Sequence, residues 1–209
     1  MERLSRRRFL AGTSMAAGAA VVAGACRDDG GDGGGAGSDL DRAAEHAGLE
    51  KLVFDTYFAI RRLITDGKLG AATPPALMGL LVTAGRQHEL AMEGWNKVLT
   101  DAGRPAVTVP PEKLRAAVDL ASIRVTDVIA AARLVLRVED YASRTYQQSI
   151  PTLQTPDLVT LAARITVVGS QHQAVLRYLV GLYPVGSGDE PGPVDVAPAD
   201  PRIGIITGA

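Results

Sequence analysis

The sequence predicts an all-α protein, a four-helix bundle of two antiparallel hairpins joined by one long crossover. Three observations predict it. Apolar residues recur at helical rather than alternating spacing along the 209-residue chain. Four segments are bounded by helix start and stop signals. A single connection is long enough to run the height of a bundle. Composition agrees, being rich in Ala, Leu, Val and Arg, and with only 4% aromatic residues the core must be aliphatic. Charge nearly cancels, with 22 basic and 23 acidic residues and a net charge of −1. Beyond Arg6, Arg7 and Arg8 there is no basic run, so no nucleic-acid partner is expected.

The first helix is expected from Asp39, capped by Ser38, to about Asp66, where Gly67 stops it. Leu49, Leu52, Val53, Tyr57, Ile60 and Ile64 form its apolar stripe. Thr73-Pro74 starts a second helix that runs to about Ala102 and is closed by Gly103. From Gly103 to about Ser122 the chain holds Pro105, Pro110 and Pro111, then one short helical turn around Glu112 to Val118. A third helix follows to about Ser149, and Ile150-Pro151 breaks it. Thr155-Pro156-Asp157 opens a fourth, ending near Gly181. The bundle thus occupies 39–184, and the Gly-, Pro- and Asp-rich residues 185–209 read as a disordered tail. Short links make two hairpins, whereas some 20 residues at about 3.3 Å each can travel a bundle about 40 Å tall.

Residues 1–25 read as an address rather than as structure. Ser5-Arg6-Arg7-Arg8-Phe9-Leu10 resembles the twin-arginine export motif, and the uncharged apolar run at 11–25 follows at once. That run is too short for a permanent span of roughly 20 residues. Ala23-Gly24-Ala25-Cys26 resembles a lipobox, with Ala23 where Leu or Val is usual. Cys26 is the only cysteine and has no intramolecular partner for a disulfide outside the cell, an anomaly that lipidation removes. The expected product is exported folded and held at the cell membrane, extracytoplasmically, through lipidated Cys26. Residues 26–38, mostly Gly and Asp, form the tether.

The two hairpins repeat one another. Glu50 precedes Tyr57 by seven residues, and Glu139 precedes Tyr146 by seven. The second helix carries Gly85-Arg86-Gln87-His88 and the fourth Gly169-Ser170-Gln171-His172. Glu50, His88, Glu139 and His172 lie near the middles of their helices, which in an antiparallel bundle meet at one level. Buried there, a carboxylate or imidazole costs several kcal/mol unless paired, hydrogen-bonded or bound to metal. Two of each suit a first-row divalent ion: iron, manganese or zinc. The plainer alternatives are salt-bridging glutamates, with Arg62 and Arg137 among the partners, and core histidines bonded to a carboxylate or to Gln. Gly85 and Gly169 cost roughly 1 kcal/mol each relative to Ala within a helix. They call for either close helix packing or room for a water, ion or small ligand.

From about Leu49 to Tyr183 the chain resembles the ferritin-like domain proteins found as exported bacterial proteins, and more broadly the di-iron carboxylate bundles. Leu49-Glu50 with Tyr57, Glu139-Asp140 with Tyr146, and His172-Gln173-Ala174-Val175-Leu176-Arg177 carry the resemblance. It implies a ferritin-like bundle with ferroxidase-like oxidation chemistry. In the di-iron members, however, the second and fourth helices each carry Glu-x-x-His, and those glutamates bridge the metals. Here both positions are glycine, Gly85 and Gly169, which leaves one Glu and one His per half. Glu89 and Asp140 point about 100° away from the site and are poor substitutes. Three readings follow: a single ion on Glu50, His88, Glu139 and His172; a metal-free module acting as a homo-oligomer or on an envelope protein partner; and a small organic ligand in the glycine-lined gap.

Overall fold

The computed structural model describes residues 34–70 and 73–181. The export signal, Cys26, residues 26–33 of the expected tether and the tail from 185 lie outside the described residues. Among the described residues five α-helices follow one another: α1 (Gly34–Thr65), α2 (Pro75–Asp101), α3 (Glu112–Ser122), α4 (Val128–Ser149) and α5 (Pro156–Leu179), with a 3-10 turn at Ile150–Thr152. Among the described helices none is long and apolar enough to cross a membrane.

The bundle consists of α1, α2, α4 and α5, with α1 against α2 and α4, and α5 against α4 and α2. Cross-helix bonds give the directions. Glu50 meets Tyr146 and Tyr57 meets Glu139, so seven residues forward on α1 match seven backward on α4. These two helices are therefore antiparallel. With short links making α1/α2 and α4/α5 antiparallel too, α2 and α4 run the same way, and the chain between them must return along the bundle. This is the predicted one-crossover topology.

The glycine stops hold where expected: Gly67 and Gly103 take φ of 68° and 73°, a left-handed conformation that ends a helix without a Cβ clash. The predicted α1 stripe is buried from Leu49 to Ile60, with Ile64 partly buried. The crossover leans on α1 at Gly48, where an added Cβ would lie 3.2 Å from Pro111 Cδ. Asn96 fixes its start by bonding the Val107 carbonyl at 3.0 Å and accepting the Val107 N–H at 2.7 Å.

Three expectations need correction. First, α1 starts at Gly34, five residues before Asp39 and inside the expected tether, and Ser38 does not cap it. Propensity in Gly34-Gly35-Ala36-Gly37 does not explain the earlier start. Asp39 is buried against α5 instead. Its carboxylate accepts the Gln154 N–H at 3.0 Å and the Thr155 N–H at 2.8 Å. A carboxylate at a helix N-terminus contributes typically about 1 kcal/mol, and here it comes from another helix. Second, the crossover holds a full helix, α3, which buries Ala117, Val118 and Ala121, rather than one short turn. Third, the next helix begins at Val128 and not near residue 123, because the Asp127 carboxylate accepts the Ala130 N–H at 2.7 Å and sets the start.

Candidate metal centre

Each of the four bundle helices delivers one predicted residue to mid-height, and Glu50, His88, Glu139 and His172 are all buried. They form a chain of close contacts. His88 Nδ1 lies 2.7 Å from Glu50 Oε2, and His88 Nε2 lies 2.9 Å from Glu139 Oε1. The same Glu139 oxygen lies 3.0 Å from His172 Nδ1 and accepts the Tyr57 hydroxyl at 2.5 Å. Tyr146 donates to Glu50 Oε1 at 2.7 Å and accepts from Trp95 Nε1 at 2.8 Å. Each tyrosine thus bonds the glutamate of the opposite repeat. Antiparallel helices that each carry a Glu-Tyr pair of equal spacing bring each Glu beside the other helix's Tyr.

Electrostatics follow from these distances. Both His88 nitrogens face carboxylates, so both must donate, and the ring is an imidazolium. Burial pushes its pKa down, but the charges of Glu139 and Glu50 and their hydrogen bonds outweigh burial and raise it to about 10. Burial pushes Glu139 up, and His88 together with His172 overrides that to hold its carboxyl at about 2. Tyr57 and Tyr146 are raised well above the usual phenol value, by burial first and then by the carboxylates they bond, and so remain donors. His88, Glu139 and His172 each offer a ligand atom within 4.8 Å of the others, and His88 Nε2 and His172 Nδ1 both lie against Glu139 Oε1. Two imidazoles and one carboxylate form a candidate but incomplete metal-binding site near the bundle centre. Glu50 stands behind His88, on its Nδ1 side, and reaches the trio through that ring.

Close helix approach does not demand either glycine, since a Cβ at each would make only ordinary van der Waals contact. An added Cβ at Gly169 would lie 3.5 Å from Glu139 Oε2, and one at Gly85 would lie 3.5 Å from Tyr57 Cβ. Neither lines the cleft of about 450 Å³ between α1, α3 and α4 over Leu52, Ile60, Leu63, Val118 and Leu134, whereas Gly85 lines a cleft of about 250 Å³ with Phe54, Phe58 and Leu81. Glu89 and Asp140 point away as expected, Glu89 pairing with Arg86 at 2.5 Å and Asp140 with Arg177 at 2.9 Å. Arg62 and Arg137 do not pair with the buried glutamates.

Two participants, Trp95 and His46, escaped the sequence reading, and the expected glutamine partner serves the other histidine. Gln87 on α2 faces His172, its Oε1 2.6 Å from Nε2. The glutamine that serves His172 is thus the one beside the other histidine. Trp95 extends the network through Tyr146. His46, fully buried, stacks on the Tyr146 ring at 4.3 Å and 8°. Ser149 Oγ donates to the Tyr146 carbonyl, so His46 Nε2 donates to Ser149 Oγ at 2.8 Å and Nδ1 is left bare, without a partner among the described residues. Burial, assisted by Arg42, pushes His46 down to about 4, and the ring is neutral. Its place one turn before Glu50 was the available signal.

Comparison with known proteins completes the picture. The fold is similar to a solved structure of a conserved hypothetical protein from Mycobacterium tuberculosis, at 16% identity and a TM-score of 0.56, over 73% of this chain and 97% of that one. No curated protein matches the sequence. The family described as "Ferritin-like domain" matches residues 39–182, which include all five helices from Asp39 on and every residue of the centre. The chain belongs to the ferritin-like domain family.

Proposed function

We propose that the bundle centre holds one divalent transition-metal ion on His88 Nε2, Glu139 and His172 Nδ1. The observation that carries this is the convergence of those three atoms. Two imidazoles with one carboxylate are the donor set of non-haem iron(II) sites and also accept manganese or zinc. Glu50 on Nδ1 of His88 and Gln87 on Nε2 of His172 orient the rings, as outer partners of metal-binding histidines do. Before His172 is counted, Glu50, Glu139 and protonated His88 leave one negative charge uncompensated; a divalent cation in place of the His88 proton neutralises it. Iron bound there would supply one-electron chemistry, whereas zinc would not.

The test is metal content of protein purified without affinity metal and then incubated anaerobically with iron(II), beside His172→Ala. That variant leaves Glu139 bonded to His88 and Tyr57. One ion per chain in the parent and none in the variant is expected. Metal in neither, with a melting temperature indifferent to chelator, would sink the proposal. It would also favour the metal-free binding module, a reading supported by the completeness of the network without an ion. We further infer export by the twin-arginine route and membrane attachment through lipidated Cys26, on the motifs at 5–10 and 23–26. Cys26→Ser is expected to shift the protein from the membrane fraction to the soluble one; unchanged partition would refute the anchor.

A further inference from the structure

The two repeat-related glycines differ in what they face across the helices. A Cβ added at Gly85 would meet Tyr57 Cβ, a carbon, whereas one at Gly169 would lie 3.5 Å from Glu139 Oε2 and 3.8 Å from Ser143 Oγ. There is room for a methyl group at Gly169, and oxygens wall it. Glycine within a helix is unfavourable relative to alanine, so this position calls for a reason beyond packing. Glu139 also uses its two oxygens unequally. Oε1 serves His88, His172 and Tyr57, whereas Oε2 accepts no hydrogen bond from any described residue. Among the described residues, the side-chain polar atoms both sealed from solvent and without a partner are His46 Nδ1 and Arg137 Nε. Glu139 Oε2 lacks a partner too but is not sealed, although Glu139 as a whole is only 1% exposed. Solvent therefore touches the central carboxylate at the oxygen that faces Gly169.

We propose that Gly169 is the port of the bundle centre: it admits a hydrated divalent cation between α4 and α5, and Glu139 Oε2 receives that cation before the two imidazoles do. The proposal rests on the metal reading above. An uncommitted carboxylate oxygen is a ready ligand for an incoming divalent ion. Ser143 Oγ, held by the Gln173 amide that also donates to the Glu139 carbonyl at 3.1 Å, sets a second oxygen beside it to replace a hydration water. The other hairpin offers no equal route. The cleft over Gly85 is walled by Phe54, Phe58 and Leu81, and its charged residues, Arg61, Arg86 and Glu89, are net positive.

Stopped-flow absorbance of the full chain mixed with cobalt(II), read at the visible bands of the bound ion, gives the loading rate, and metal content after overnight incubation gives the end point. Gly169→Ala should slow loading by roughly tenfold, with one ion per chain still bound at the end. Gly169→Val should slow it further. Gly85→Ala stiffens a helix by the same exchange and should load at the parent rate, so slowing by stiffening alone is told apart from a blocked path. Equal rates in the parent and Gly169→Ala, or equal slowing by Gly85→Ala, would overturn the port and leave the metal centre standing. Loss of the ion at the end point in Gly169→Ala would overturn it as well, because Gly169 would then shape the site and not the way in. A parent that takes up no cobalt would overturn both the port and the metal reading.

Discussion

Glu139→Leu is expected to destabilise the metal-free protein by about 3–5 kcal/mol, the range for removing one partner of a buried charge network. One oxygen of Glu139 serves His88, His172 and Tyr57, and its loss leaves three buried polar groups short of a partner. Glu50 still holds His88 on one side, which limits the damage to part of the network. Urea unfolding of the metal-free parent and variant measures the difference. A loss below about 1 kcal/mol, the net contribution of one ordinary hydrogen bond, would mean that the network does not form as described.

Stability of the metal-free protein should peak near pH 6.5 and fall on both sides, for reasons traceable to three groups. His46 has a folded value of about 4 against 6.5 unfolded, so the unfolded chain binds its proton first, and stability falls as pH drops from 6.5 towards 4. At 1.36 kcal/mol per unit, that loss amounts to about 3 kcal/mol. Glu139, held at about 2 in the fold, adds to it as pH drops below its ordinary value of 4.5. His88 acts the other way. Its folded value of about 10 makes its contribution complete below pH 6.5 and lost as pH rises through 10. Denaturation midpoints across pH 4–10 would show the dome, and His46→Asn should flatten the limb between 6.5 and 4. A parent whose stability is flat over that limb would refute a buried neutral His46.

The helices and their order were legible because helix geometry is local. Gly67, Gly103 and the Thr155-Pro156 pair stand where the chain turns, and the α1 stripe reads directly as the buried face. Mid-helix placement sufficed to bring Glu50, His88, Glu139 and His172 together. What escaped notice depended on contacts across helices. Asp39 reads locally as the first residue of its own helix, yet it caps α5 because the antiparallel register of α1 and α4 carries it to the 3-10 turn. The glutamine beside each histidine was an expected partner, but only the approach of α5 makes Gln87 serve His172 rather than its neighbour His88.

The sequence by itself determined the helix count in the bundle, its one-crossover topology and the four ionisable residues at its centre. Periodicity, turn residues and the seven-residue Glu-Tyr repeat are short-range signals that survive in one dimension. The tertiary structure alone decided which atoms face one another: that Glu139 rather than Glu50 joins both histidines, that each tyrosine serves the other repeat's glutamate, and that His88 lies between two carboxylates as a cation. The physical reason is that charge state and ligand geometry depend on separations of a few ångströms between residues up to 96 positions apart. Those separations are set by how the buried faces interlock.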